Sequence, residues 1–502
     1  MTSGEMLATG VEKARVEATE MLDPKQRSLL GQFMTPQPIA GFMASMFRLP
    51  KKRLRVLEAG AGVGSLVAAF VRSACQRPAP PESIHVVAYE VDPTLVAHLR
   101  ETLKSCQELC GRSAVEFTSE IRQQEFVEAG SDLIADLFAR TPEKFDAAIL
   151  NPPYKKILST SAQRLALRRA GIETSNLYTA FLWLAVRLLD DAGEMVAITP
   201  RSFCNGPYFR PFRDLLLDLT AFRRVHVFES RNLAFEDVLQ ENIVFHVEKG
   251  AKQADVDISS SEGPDLSSVH HRSVQFEQLV EPSDTQRFIH IVAHESGEDT
   301  SRALRSLGGT LETIGVEVST GRVVDFRARD DLRADADKEC VPLIYPGHFR
   351  EGYVEWPRAN FRKPNALVKR PRTEGLIQPA GIYVLVKRFS SKEEPRRVVA
   401  AIYDPTRVSS SHVAFENHVN VYHVSGSGEP SMDFARGLAA YLNTTKVDDY
   451  FRLFNGHTQV NATDLRNLPY PSRDALIALG RKIGKTFPGQ EAVDALAAGL
   501  WR

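Results

Sequence analysis

At 502 residues the chain is longer than one ordinary hydrophobic core accommodates, so two domains are expected. A hydrophobic share of 43% and a charged share of 25% suit a globular protein, and a formal net charge of -1 excludes a uniformly basic nucleic-acid binder while allowing a local basic face. Five irregularly spaced cysteines exclude a disulfide framework and suit a reduced, cytoplasmic protein; lacking a basic-then-apolar leader or a long uncharged apolar run, the chain is expected to have no membrane partner.

The N-terminal stretch to about residue 30 reads as an amphipathic helix carrying Val11, Ala14, Val16, Ala18 and Met21, ended near Asp23-Pro24. In Gly31-Gln32-Phe33-Met34-Thr35-Pro36, Thr35 is expected to cap a helix over 39–47, with Pro36 in its first turn. Leu54–Leu57 is a strand, followed by Glu58-Ala59-Gly60-Ala61-Gly62-Val63-Gly64-Ser65 and a helix over 66–73. The glycines permit a tight turn and close approach of a ligand, but their spacing breaks the dinucleotide pattern. Glu58, read as part of this loop, repels a pyrophosphate and attracts a cation, so a sulfonium and ammonium ligand fits better than NAD.

A second strand over 84–89 ends at Glu90, placed to accept both hydroxyls of a ribose. A helix over 94–109 follows; Cys106 and Cys110 on it lack a second ligand pair and read as packing, so no metal is expected. A third strand over 114–117 leads to Glu125-Phe126, a candidate contact to an adenine ring.

The apolar run Phe145–Leu150 is a short buried strand that must stop at Pro152-Pro153, since neither proline can donate to a ladder. Asn151 therefore stands at the carboxyl end of a strand, where open α/β sheets bind ligands. Its amide oxygen and the Pro152 carbonyl are two acceptors beside the Tyr154 ring, a set suited to a planar group with an exocyclic amine. Chance occurrence of Asn151-Pro152-Pro153-Tyr154 in a chain this long is on the order of one in a thousand, which favours function over a strand-ending turn.

Residues 155–175 read as a basic, irregular loop (Lys155, Lys156, Arg164, Arg168, Arg169), either over the site or simply solvated. Then come a strongly apolar helix over 176–189, a buried strand over 194–199, a helix over 208–219, and two final strands over 224–228 and 242–247. This alternation predicts a doubly wound α/β sheet in a first domain over 1–255. The stretch Ser259-Ser260-Ser261-Glu262-Gly263-Pro264 has linker character, placing a linker over 256–310 and a β-rich second domain with a helical end over 311–502. Between 345 and 400 there are 12 Lys or Arg against 5 Asp or Glu, interleaved with Tyr345, Phe349, Tyr353, Trp356, Phe361, Tyr383 and Phe389. That is the pattern of a nucleic-acid face, with Arg358, Arg362, Lys369 and Arg388 as candidate contacts; a β-rich core with solvated charges is the competing reading.

Taken together, the motifs and their order resemble the S-adenosylmethionine-dependent DNA adenine-N6 methyltransferases of the gamma arrangement, the modification enzymes of type II restriction systems. The resemblance covers the whole chain and rests on the 32–36 segment, Glu58–Gly64, Glu90, Glu125-Phe126 and Asn151–Tyr154. It implies a Rossmann-like methyltransferase sheet with a C-terminal target-recognition domain. The donor S-adenosyl-L-methionine would be held by Thr35, Glu58, Gly60, Gly62, Glu90, Glu125, Phe126 and Asn151. A flipped adenine of double-stranded DNA would meet Asn151, Pro152, Pro153 and Tyr154. A cognate restriction endonuclease is an expected partner, and a six-base palindrome of the CTGCAG kind is a guess at the target. Glu58 and Glu125 depart from the commoner Asp. The alternatives are a protein-glutamine methyltransferase, an RNA adenine methyltransferase and a non-catalytic DNA-binding specificity protein.

Overall fold

The computed structural model describes residues 2–22, 33–135, 143–228, 242–261, 263, 266, 268–282, 284–292, 295–390, 394–424, 430–454 and 459–501. Asp23-Pro24, Gly31, Gln32, Glu262 and Pro264, named above, lie outside them. Residues 1–293 and 294–502 form separate compact units. Among the described residues no helix is long and apolar enough to cross a membrane.

In the first unit the elements run α1 (Ser3–Met21), α2 (Gln37–Ser45), β1 (Arg53–Ala59), α3 (Ser65–Cys75), β2 (Ser83–Tyr89), α4 (Pro93–Arg112), β3 (Glu116–Arg122), α5 (Phe126–Ala135) and β4 (Phe145–Leu150). They continue as α6 (Ala162–Arg169), α7 (Leu177–Leu188), β5 (Leu189–Pro200), α8 (Arg210–Leu219), β6 (Thr220–Phe228), β7 (Asn242–Lys249), β8 (Val256–Ser261) and β9 (Val269–Val274). The nine strands make one sheet in the order β3-β2-β1-β4-β5-β7-β6-β8-β9. The run from β3 to β5 is parallel, and β7 enters antiparallel between β5 and β6. This is the doubly wound sheet expected.

The central strands, such as β4, read as continuous apolar runs because both faces are covered. Successive side chains point to opposite faces, so Ala147 and Ile149 of β4 enter one core with α2, α3 and α4, while Ala148 and Leu150 enter the other with α7. Burial of a side chain such as Ile149 or Leu150 contributes roughly 1.5–3 kcal/mol each. Every residue of α7 except Arg187 is buried, as befits a helix apolar on all sides.

Three expectations are corrected. Residues 256–261 and 269–274 are not linker but strands, so β6 and β7 are not the last. The serines that suggested a linker serve a buried imidazole: His226 meets Ser259 Oγ at 2.9 Å and Ser261 Oγ at 3.1 Å across the β6–β8 pair. The 155–175 stretch is not an irregular loop but contains α6, with Arg164 and Arg168 on Glu173 and Arg169 on Asp132. Glu173 within the stretch and Asp132, distant in sequence, take up these cations. Third, the polar stretch after residue 117 continues β3 to Arg122, tolerated because β3 is an edge strand with one exposed side.

The second unit holds a six-stranded sheet with spatial order Val316–Thr320, Val419–Val424, Tyr383–Lys387, Ala400–Tyr403, Tyr353–Val354 and Phe349–Arg350. A five-stranded sheet runs Leu332–Arg333, Ala366–Val368, Cys340–Ile344, His412–Phe415 and Ile377–Pro379. Helices Met432–Leu442 and Arg473–Ile483 close the first sheet's core. They touch backbone to backbone: a Cβ on Gly480 would lie 1.6 Å from the Asp433 carbonyl oxygen, so only glycine fits.

Candidate active site

The strand order reverses direction between β1 and β4, and the chain segments leaving these two strands diverge to opposite sides. That switch point is where a doubly wound sheet opens a crevice at its carboxyl edge. A cavity of about 250 Å³ lies there, bounded by the ends of β1, β2 and β4, with Glu58, Glu90, Glu125 and Asn151 in its wall.

The turn after β1 is shaped by Gly60, Gly62 and Gly64, all with positive φ. Gly64 (φ 85°) has its missing Cβ within 2.8 Å of Leu99, so this glycine permits helix packing as well as the left-handed turn. Glu58 is not in the loop but inside β1, one residue before its end, and 1% exposed. Strand pairing with β2 carries it there, through the Glu58–Ala88 register. Burial drives its pKa well above the carboxylate range, opposed by the N–H groups of Val67 and Leu66 at the start of α3 and reinforced by Glu90. Its Oε2 is buried with no hydrogen-bond partner.

Glu90, just past β2, accepts from the Gly62 N–H at 2.8 Å, the Val91 N–H at 2.8 Å and the Asp92 N–H at 2.9 Å. Burial still raises its pKa. Glu125 precedes α5 and accepts the Glu128 N–H at 2.9 Å, again with its pKa raised by burial. Phe126 is buried beside it, its ring 5.0 Å from Tyr89 and 5.1 Å from Phe181. Glu58 and Glu90, both buried, and the half-buried Glu125 face one cavity whose wall also carries Lys155 and Lys156; among the described residues none of the three carboxyl groups is in an ion pair, so the site is receptive to positive charge.

Thr35 does not cap α2. Pro36 holds the N-cap position without a side-chain bond, and the first orphan N–H, that of Gln37, goes to Glu12 Oε2 at 3.1 Å. The Thr35 hydroxyl instead accepts from Asn151 Nδ2 at 3.0 Å, and the Phe33 carbonyl accepts from the same nitrogen at 2.7 Å. Asn151 Oδ1 accepts from the Tyr154 hydroxyl at 3.1 Å. Pro152 is buried and Pro153 lines the cavity. The Tyr154 ring is half-buried, 6.4 Å from Phe33 and edge-on to Tyr178 at 6.3 Å.

The residues missed in the sequence are Phe33, whose carbonyl carries the bond, and Gln163 and Phe181 in the cavity wall. A backbone acceptor leaves no sequence trace; Gln163 sat in a charge run and Phe181 in an apolar helix, where neither type stands out. In the second unit, Arg362 and Lys369 are exposed. Arg358 donates to the Gly347 carbonyl and lies over Phe361, while Arg388 donates to the Asn417 carbonyl at 3.0 Å and lies over Phe389.

Comparison with known proteins agrees with this layout. A family model described as Eco57I restriction-modification methylase matches residues 89–235. Type II methyltransferase M.BsuBI of Bacillus subtilis is 45% identical over 493 residues, covering 96% of each chain. Type II methyltransferase M.PstI of Providencia stuartii is 41% identical over 477 residues, covering 94% of this chain and 93% of that one. In fold, the type IIL restriction-modification enzyme MmeI, solved in complex with DNA, aligns over 99% of this chain and 74% of its own with a TM-score of 0.52 at 11% identity. With identity of this extent over nearly the whole length, the chain belongs to the methyltransferases of type II restriction-modification systems.

Proposed function

We propose that the protein transfers the methyl group of S-adenosylmethionine to the N6 amino group of an adenine turned out of duplex DNA, protecting that DNA from a cognate endonuclease. The observation that carries this reading is the orientation of Asn151. Its NH2 end is held by two acceptors, so its oxygen end is presented as an acceptor beside a cavity rich in carboxyl groups.

The cavity fits the donor. The unpartnered Glu58 Oε2 and the raised carboxyl groups of Glu90 and Glu125 favour a ligand carrying sulfonium and ammonium charge. The Glu90 oxygens keep lone pairs beyond their three backbone bonds, enough to accept ribose hydroxyls. Phe126, Tyr89 and Phe181 offer an apolar wall to a purine. Bound there, S-adenosylmethionine supplies a methyl group on a positively charged sulfur, an electrophile at neutral pH.

The protein's own part is to prepare the amine. The amino nitrogen of adenine is a weak nucleophile because its lone pair is delocalised into the ring. Asn151 Oδ1 and the Pro152 carbonyl accept its two N–H bonds, favour a tetrahedral nitrogen and free the lone pair for in-line attack. The proton is lost after transfer, so no strong base is required. Extrusion costs a few kcal/mol of stacking, partly offset by the Tyr154 ring. Residues of the second unit supply the DNA contacts, with the exposed Arg362 and Lys369 the best placed of the four candidate cations, since Arg358 and Arg388 are engaged with carbonyls and rings of their own unit.

The test is to incubate the protein with S-adenosylmethionine carrying a labelled methyl group and duplex DNA, one oligonucleotide containing CTGCAG, and to digest the product to nucleosides. Label in N6-methyldeoxyadenosine supports the reading. Label in N4-methyldeoxycytidine, in RNA or in protein refutes it.

A further inference from the structure

We propose that Thr35 is a positioning residue: the Phe33 carbonyl fixes which end of the Asn151 amide faces the reacting amine, and the Thr35 hydroxyl takes the second N–H and holds the amide in that plane. This deepens the reading above and depends on it.

The two ends of an amide have the same shape but opposite hydrogen-bonding character, and only their surroundings tell them apart. Around Asn151 those surroundings are asymmetric. The Phe33 carbonyl, 2.7 Å from Nδ2, can only accept. Thr35 Oγ1 takes the same nitrogen at 3.0 Å, and the Tyr154 hydroxyl donates to the other end at 3.1 Å. Turned over, Asn151 would set oxygen against the Phe33 carbonyl and NH2 against the amine of the base. Acceptor would meet acceptor and donor would meet donor, and the site would lose the group that draws the nitrogen toward tetrahedral geometry.

Thr35 matters beside the carbonyl because an NH2 group has two hydrogens to place. Thr35 is 3% exposed, so water does not readily replace a hydroxyl deleted there. Its β-branched side chain also has few rotamers to lose, which holds the oxygen in place. The segment just before α2 thus reaches the end of β4, more than 100 residues on, and meets the amide rather than serving its own helix.

Thr35→Val removes the acceptor and keeps the shape; Thr35→Ser keeps the acceptor. Turnover at saturating DNA, the dissociation constant for S-adenosylmethionine and the melting temperature are measured for wild type and both variants. The expected result is a roughly five- to tenfold lower kcat in Thr35→Val, donor affinity within twofold of wild type, a melting temperature lowered by no more than a few degrees, and most of the turnover restored in Thr35→Ser. Weakened donor binding with kcat preserved makes Thr35 a donor contact and overturns the proposal. So does unchanged turnover in Thr35→Val, or a loss shared by Thr35→Ser with a larger fall in melting temperature. Wild type that is inactive on adenine refutes the proposed function instead, which separates the two failures.

Discussion

The carboxyl groups around the cavity of the first unit and the ion pairs that brace the second hold charge in opposite ways. Around the cavity of the first, Glu58, Glu90 and Glu125 are withdrawn from water and all three pKa values are pushed up by burial. In the second, charge meets countercharge. Arg372 holds Asp331 through two bonds of 2.7 and 2.8 Å, and Asp448 accepts the Val398 N–H at 2.8 Å and Arg452 Nε at 2.7 Å. Lys363 pairs with Asp325 and Lys387 with Glu394. Buried charge without compensation lowers stability and persists where a ligand supplies the missing partner; compensated charge serves the fold. A count of basic residues, such as the 12 between 345 and 400, does not separate these cases.

The sharpest way to break this contrast is Asn151→Ala. Removing the oriented acceptor should lower turnover by roughly 10²- to 10³-fold, as loss of a preorganised transition-state contact does, while calorimetry shows donor affinity nearly unchanged. A large loss of donor affinity would move Asn151 out of the base site.

Glu58 tests the uncompensated charge itself. Glu58→Ala should weaken S-adenosylmethionine binding about 10- to 100-fold, the scale of one buried charged contact. The pH dependence has a definite sign. With its folded pKa raised by burial, Glu58 takes up its proton in the empty site at a higher pH than an ordinary carboxylate does, and a cationic ligand favours the ionised form. Binding therefore releases protons, and donor affinity rises with pH through the raised carboxyl range before levelling off. A raised carboxyl pKa also means that ionisation of Glu58 destabilises the empty protein above that range. Glu58→Gln should flatten the affinity profile and raise the melting temperature of the empty protein on the alkaline side of that range. A steeper profile or a lower melting temperature would mean that the carboxylate is compensated after all.

In the second unit the comparison predicts that the four candidate cations divide. If Arg362 and Lys369 contact phosphates, replacing both by Gln should weaken DNA binding and reduce the salt slope by about 2. Arg358→Gln and Arg388→Gln should act mainly on stability, since each guanidinium holds a carbonyl and covers a ring. Equal salt slopes for all four single variants would show that the internal contacts do not decide the role.

What was legible in the sequence follows from the range of the forces involved. The doubly wound sheet was legible because apolar runs and glycine turns are local signals, and Asn151 was legible because Pro152-Pro153 forces the strand to stop. Glu58 was placed in the loop because a buried acid at a strand's end has no local mark; pairing with β2 put it inside β1. Thr35 looked like a cap because its neighbours suit one, yet Glu12 on α1 had taken the orphan N–H. Ser259–Ser261 looked like a linker because His226, their partner, is more than 30 residues away. Each departure is a polar side chain whose place is set by a segment distant in sequence.

The smallest expected effect is that of Tyr154→Phe, and it bears on whether the ring or the hydroxyl matters beside Asn151. The hydroxyl donates to Asn151 Oδ1 at 3.1 Å and lies 3.4 Å from the Ile198 carbonyl, so Phe frees a lone pair on the oxygen proposed to meet the amine. An amide oxygen can serve two donors at once, so the hydroxyl steadies Oδ1 without blocking the base. Burial raises the phenol pKa, which keeps Tyr154 a donor through neutral pH and removes it as a source of alkaline loss of activity. Tyr154→Phe should therefore lower kcat by no more than about fivefold, the scale of one neutral hydrogen bond. Tyr154→Ala, which deletes the ring and opens a gap between Phe33 and Tyr178, should fall well below it. With 2-aminopurine in place of the target adenine, Tyr154→Phe should keep the fluorescence rise on binding and Tyr154→Ala should lose most of it. If Phe proves as poor as Ala in turnover, the hydroxyl's hold on Asn151 is the main role of Tyr154, and stacking is secondary.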